Sequence, residues 1–194
     1  MKQILLILAV VALAGCGESK EEKAAKAAAE WKVIEAAAAA AAAAKVNALE
    51  KAIRVDLKKP TGELTKADYE KVTELDILHN QLIDVKGMEK LTQLKELWLS
   101  DNQLTSVKGL EKLTKLRGLS LEHNQLTNVT GLKNLTQLKE LYLLRNQLTD
   151  VKELENLDQL RSLDLKGNPD LTKAQIDELK KALPKCEIES NPTK

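Results

Sequence analysis

The stretch LTQLKELWLSDNQLTSVKGLEK (91–112) runs without a break into LTKLRGLSLEHNQLTNVTGLKN (113–134) and LTQLKELYLLRNQLTDVKELEN (135–156). The three segments are each 22 residues long and align position for position. A degenerate copy precedes them from Tyr69, and a partial copy follows from Leu157. Asn80, Asn102, Asn124, Asn146 and Asn168 keep one register through all five. One copy holds too few apolar residues to bury a face alone. Stacked copies bury a continuous core, so a fixed short period predicts a solenoid.

Within a copy, alternation assigns the faces. Residues two apart on a strand share a side. In LKELWLSDN, Leu94, Leu97 and Leu99 therefore point inward, and Asn102 bonds the backbone of the turn that ends the strand, because a buried amide needs partners. The pattern L-x-x-L-x-L-x-x-N-x-L resembles the leucine-rich repeat signature. That resemblance implies a parallel sheet on the concave side of an arc, and a concave face used for binding. The flanks are similar to the internalin-like subfamily. NALEKAIRVDLKKPTGELTKADYEKVTELDIL looks like its helical N-terminal cap, the V-x-G-L/M segments at Val85, Val107 and Val129 match its period, and LTKAQIDELKKALPKCEIE reads as a closing helix and strand. The resemblance covers about residues 47–189. It departs from the pattern at Glu153, where the Gly is lost.

The fold expected is an α/β solenoid, a leucine-rich repeat arc with a helical N-terminal cap and a helix-strand C-terminal cap, preceded by a long Ala-rich helix. The segments expected are a signal peptide (1–15), an Ala-rich helical stalk (16–45), the N-terminal cap (46–68), the repeats (69–168) and the C-terminal cap and tail (169–194).

Aromatic residues make up 2% of the chain and Phe is absent, so Trp98 is not general packing material. Alternation places it outward. The first outward column reads Glu74, Glu96, Gly118, Glu140, Ser162; the second Asp76, Trp98, Ser120, Tyr142, Asp164; the third Leu78, Ser100, Glu122, Leu144, Lys166. Rigid aromatics around small residues, rimmed by acids, make a binding hot spot. The expected concave binding residues are Trp98, Tyr142, Glu96, Glu140, Ser120, Leu78 and Leu144, with Gly118 and Ser120 leaving a shallow gap between the aromatics. The expected occupant is a protein or peptide ligand. Lys95, Arg117, Lys139 and Arg161 form a basic column at the start of the strands that reads as a solvated edge.

The N-terminus has a separate logic. MKQILLILAVVALAGC opens on Lys2, continues as an apolar run too short for a comfortable membrane span, and closes on small residues before Cys16. LAGC (13–16) resembles the lipobox of bacterial lipoproteins, which implies cleavage before Cys16 and lipidation of its sulfur. The expected location is the bacterial cell envelope, lipid-anchored to a membrane (the outer membrane in a Gram-negative cell). From Glu18 to about Lys58 the chain reads as one helix, with nine consecutive alanines at 36–44. Val46, Leu49, Ile53 and Leu57 recur on one face and must pack. The half before Ala44 reads as a spacer of about 25 residues, on the order of 40 Å at 1.5 Å per residue. The alternative reading is a structural envelope protein that self-associates through this helix.

Lys+Arg 30 against Asp+Glu 29 leaves no basic excess to hold nucleic acid. No Ser/His/Asp spacing, Gly-rich phosphate loop or metal-ligand motif is present, so no catalytic residue, metal or cofactor is expected. His79 and His123 share a repeat position and edge the sheet. Cys186 alternates with Ile188 in PKCEIE and reads as a small inward hydrophobe.

Overall fold

The structure, a computed structural model, describes residues 20–191. The expected signal peptide and Cys16 lie outside the described residues. The chain divides into two units, residues 1–45 and 46–194.

Helix α1 covers Lys20–Asp56. In the first unit its described side chains are solvent-facing, including the large apolar Trp31, Val33 and Ile34. In the second unit three of the four residues of the expected packing face meet the core; the side chain of the fourth, Val46, lies outside the described residues. Ile53 is buried, and Leu49 and Leu57 are partly buried against the core. The helix stops two residues before Lys58. Lys58 takes a left-handed φ of 51°. Its N–H donates to the Val55 carbonyl at 3.1 Å, and that of Lys59 to the Arg54 carbonyl at 3.0 Å. This is a Schellman closure with Lys where Gly is usual, and Pro60 prevents continuation. Helix α2, Lys66–Tyr69, starts on Thr65 as its N-cap, in a reciprocal capping box with Asp68.

Six three-residue strands follow: β1 (Glu74–Asp76), β2 (Glu96–Trp98), β3 (Gly118–Ser120), β4 (Glu140–Tyr142), β5 (Ser162–Asp164) and β6 (Glu187–Glu189). They form one parallel sheet in chain order. The register is one repeat per strand: Leu75, Leu97, Leu119, Leu141, Leu163 and Ile188 lie in line. Helix α3, Lys173–Ala182, is set by a second capping box between Thr172 and Gln175, and delivers the chain to β6. Cys186 and Ile188 are partly buried against the core beside that strand.

Each coil turns the same set inward. In the coil from Leu113, these are Leu113, Leu116, Leu119, Leu121, Leu126, Val129 and Leu132, none more than 2% exposed. Asn124 is the polar member of the set. Its side-chain amide donates to the carbonyls of Leu121 (3.1 Å) and Glu122 (3.1 Å) in its own coil and of Leu99 (3.0 Å) in the preceding one. Its Oδ1 accepts from the Leu104 N–H at 2.9 Å, again one coil back. Asn102, Asn146 and Asn168 repeat the arrangement. The amide thus does more than close its own turn; it pins two coils together. Asn80, in the first coil, has no coil before it, lies exposed, and donates to Leu78 in its own turn.

The residue before each Asn is left-handed: His79, Asp101, His123, Arg145 and Gly167 have φ between 53° and 70°. The two histidines therefore sit at the turn that ends a strand, where their side chains flank Asp101 (3.7 and 3.9 Å). The V-x-G segments have a related cause. Gly131 has φ 111°, and a Cβ there would stand 2.8 Å from the Val107 carbonyl oxygen. Where Glu153 replaces that Gly, the chain forms a longer 3₁₀ turn, Lys152–Asn156, instead.

Asn124→Leu is expected to lower the unfolding free energy by about 2–4 kcal/mol, because the backbone groups of two coils lose buried partners. Gln125→Ala, one residue on and exposed, is expected to change it by less than about 0.5 kcal/mol. Urea titrations of both variants test this, and equal shifts would contradict the inward assignment.

Candidate functional site

The strand register builds the concave face row by row. Glu74, Glu96, Gly118, Glu140, Ser162 and Glu187 form one row, and Asp76, Trp98, Ser120, Tyr142, Asp164 and Glu189 the next. Ladder bonds past the strand ends hold Leu78, Ser100, Glu122, Leu144 and Lys166 as a third. Side chains in these rows stand off the sheet on the side opposite the leucines, so they are released from core packing.

Eight residues line one open concavity of about 530 Å³: Asp76, Leu78, Trp98, Ser100, Asp101, Ser120, Glu122 and Tyr142. Of the expected binding residues, Leu78, Trp98, Ser120 and Tyr142 meet there. Glu96 and Glu140 stand beside it in the first row, and Leu144 is half-buried without lining it. Asp101 is an addition. It belongs to no outward column of a strand and enters through the left-handed turn, which strand alternation does not describe.

The gap expected between the aromatics is closed. Gly118 is buried and Ser120 is 3% exposed. A Cβ at Gly118 would collide with Glu96 Oε2, so the Glu96 carboxylate lies over that glycine. The Ser120 hydroxyl shares a 2.7 Å hydrogen bond with that of Ser100. Trp98 and Tyr142 are half-buried on either side of this floor. Two strand spacings, about 10 Å, separate their backbones.

The three rows carry eight carboxylates and one cation, Lys166, which pairs with Glu189. Burial, then repulsion from Glu140 and Glu74, holds the Glu96 carboxyl above its ordinary value, with Arg117 opposing. Burial and the neighbouring Glu140 also raise the Tyr142 phenol, which donates to Glu140 Oε2 at 3.2 Å. Lys95, Arg117, Lys139 and Arg161 are exposed at the start of the strands. Among the described residues no group of three or more His, Cys, Asp or Glu is arranged to hold a metal ion. The Cys186 thiol is pushed up to about 11 by burial, the opposite of nucleophile activation.

The family model described as Leucine Rich repeats (2 copies) matches residues 70–112, 92–134, 114–155 and 136–181, together more than half of the chain. An internalin of Listeria monocytogenes is similar in structure, with a TM-score of 0.69 and 30% identity over 75% of this chain and 42% of that one. Internalin C2 of the same species gives 0.69 and 28%, over 76% of this chain and 66% of its own. A leucine-rich repeat protein of Leptospira interrogans gives 0.59 and 34%, over 66% and 34%. The chain spans less than two thirds of the length of each. No curated protein matches it by sequence.

Trp98→Ala is expected to cost no more than about 1 kcal/mol of stability, because it opens no core cavity. Leu97→Ala, one residue away and fully buried, is expected to cost about 2–5 kcal/mol. Similar thermal melts would place the tryptophan in the core. A second expectation follows from Glu96. Its folded-state carboxyl titrates above the ordinary 4.5, so the stability present below that pH is lost as the pH rises and the group ionises. Glu96→Gln should therefore raise the melting temperature near neutrality and leave it unchanged below about pH 4. A gain of equal size at both pH values would contradict the repulsion.

Proposed function

We propose that this chain, which belongs to the leucine-rich repeat family, is a non-catalytic protein-binding scaffold held at the bacterial cell envelope by a lipid on Cys16. The single observation that carries the binding reading is the placement of Trp98 and Tyr142. They are two of only four aromatic residues in the chain, and both line the concavity rather than the core. Large rigid side chains on a preformed sheet lose little conformational entropy on association and are favoured interface anchors. The contact face is the concave sheet, and the occupant is a protein or peptide.

Export and anchoring rest on the sequence MKQILLILAVVALAGC, in which an apolar run closes on a lipobox-like LAGC. A dual acyl anchor at Cys16 would bind membranes stably, which one chain does not. The Ala-rich helix would then serve as the spacer between anchor and repeats. The exposed Trp31, Val33 and Ile34 favour self-association of that helix as a second reading, and a monomer in sedimentation of the full chain would remove it.

Detergent-extracted wild-type and Trp98→Ala chains serve as paired baits against envelope extract. The expected result is a partner retained by the first and lost or weakened by the second. Equal retention would remove Trp98 from the contact face. Cys16→Ala is expected to shift the chain from the membrane pellet to the soluble fraction in detergent-free buffer; continued pelleting would refute the lipid anchor.

A further inference from the structure

The whole chain is almost neutral, at +1, yet its concave rows hold eight carboxylates against one already paired lysine. Lys95, Arg117, Lys139 and Arg161 stand at the edge where the strands begin, so the negative excess is confined to the rows themselves. Such a field selects its partner by sign.

The aromatics and the acids also share one frame. Glu96 and Trp98 lie on β2, Gly118 and Ser120 on β3, Glu140 and Tyr142 on β4, all in register. Glu96 and Glu140 stand two strands apart in one row, with only a glycine between them, and the Glu96 carboxylate already extends over that glycine. Trp98 and Tyr142 stand the same distance apart in the next row, about 7 Å along the strands. The frame therefore offers two aromatic walls next to two carboxylates of like charge. A Lys or Arg side chain matches both halves. Its methylene stem packs on rings, its cation is attracted to their faces, and its head bonds carboxylates.

We propose that the concave face seats a basic peptide segment, with one Lys or Arg stem between Trp98 and Tyr142 and its cationic head between Glu96 and Glu140. This rests on the reading of the concave sheet as the contact surface. An apolar partner would leave the two carboxylates desolvated and mutually repelling, which is costly. A small amine would neutralise one pair and leave the other acids of the rows unmatched. A segment with several cations, laid across the strands, meets the acids of successive coils. Seating the cation also relieves the repulsion that Glu96 already feels from Glu140 and Glu74.

The test uses the full chain carrying Trp31→Phe, so that emission reports Trp98 alone. The probes are octalysine and the same peptide with every lysine acetylated. The expected result is a saturable change in Trp98 emission with octalysine and none with the acetylated form. Glu96→Gln with Glu140→Gln should weaken octalysine at least about tenfold, as loss of a charge-assisted seat requires. Glu74→Gln with Glu187→Gln removes the same charge from the ends of the same row. It should weaken binding less than about threefold. Melting curves establish that each variant is folded. Absence of saturation, or equal loss with both pairs, would overturn the proposal, the second by showing diffuse attraction without a seat. The envelope partner separates this failure from that of the reading beneath it. A partner lost with Trp98→Ala but kept by the Glu96→Gln, Glu140→Gln chain overturns the basic occupant alone. A partner kept by both variants overturns the concave contact surface itself.

Discussion

One buried amide in each coil after the first governs this structure. A solenoid of three-residue strands has little sheet to hold it: the strands end after one inward leucine, and the backbone must then turn sharply with its polar groups inside. Asn102, Asn124, Asn146 and Asn168 meet that demand. Each supplies donors to carbonyls of its own turn and of the coil before, and an acceptor to an N–H of the coil before. An amide carries two N–H donors and an acceptor oxygen on a short stem; a carboxylate has no donor, a hydroxyl only one, and a leucine neither donor nor acceptor. The leucines supply most of the burial energy, but they would pack in more than one register. The amide fixes the register because it is satisfied in only one.

With register fixed by inward groups, the outward rows are free to differ. Ladder bonds and leucines recur from coil to coil, while the second row reads Asp76, Trp98, Ser120, Tyr142 and Asp164. The concavity is a by-product of stacking, and its chemistry comes from residues with no part in the core. That division explains how like-charged carboxylates persist in one row. Their repulsion is a cost the leucine core and amide ladder can bear, and a cationic partner would cancel it.

Much of this was legible in the sequence because a 22-residue period and a two-residue alternation leave few choices. The inward leucines and the outward columns follow from spacing, and the closing helix-strand unit from the resemblance of the flanks. What alternation misses is contact across coils. It assigns Asn102 to its own turn but not to Ile77 and Leu82 of the coil before. It treats Gly118 and Ser120 as an open gap, whereas the Glu96 rotamer and the Ser100 hydroxyl close it. It has no place for residues in left-handed turns, so Asp101 was invisible as a lining residue. The site was legible as a face and a pair of aromatics, not as a surface with depth, because depth depends on side-chain torsions that spacing does not encode.

Hydrogen exchange at the asparagine side chains tests the amide ladder most directly. In ¹⁵N-labelled protein, the Nδ2 protons of Asn124 should exchange as slowly as the Leu104 backbone amide that its Oδ1 engages, since both open only when two coils part. Those of exposed Asn80 should exchange at rates close to an unfolded peptide. Rapid exchange at Asn124, with Leu104 still protected, would contradict the account by showing that the coils hold together without it.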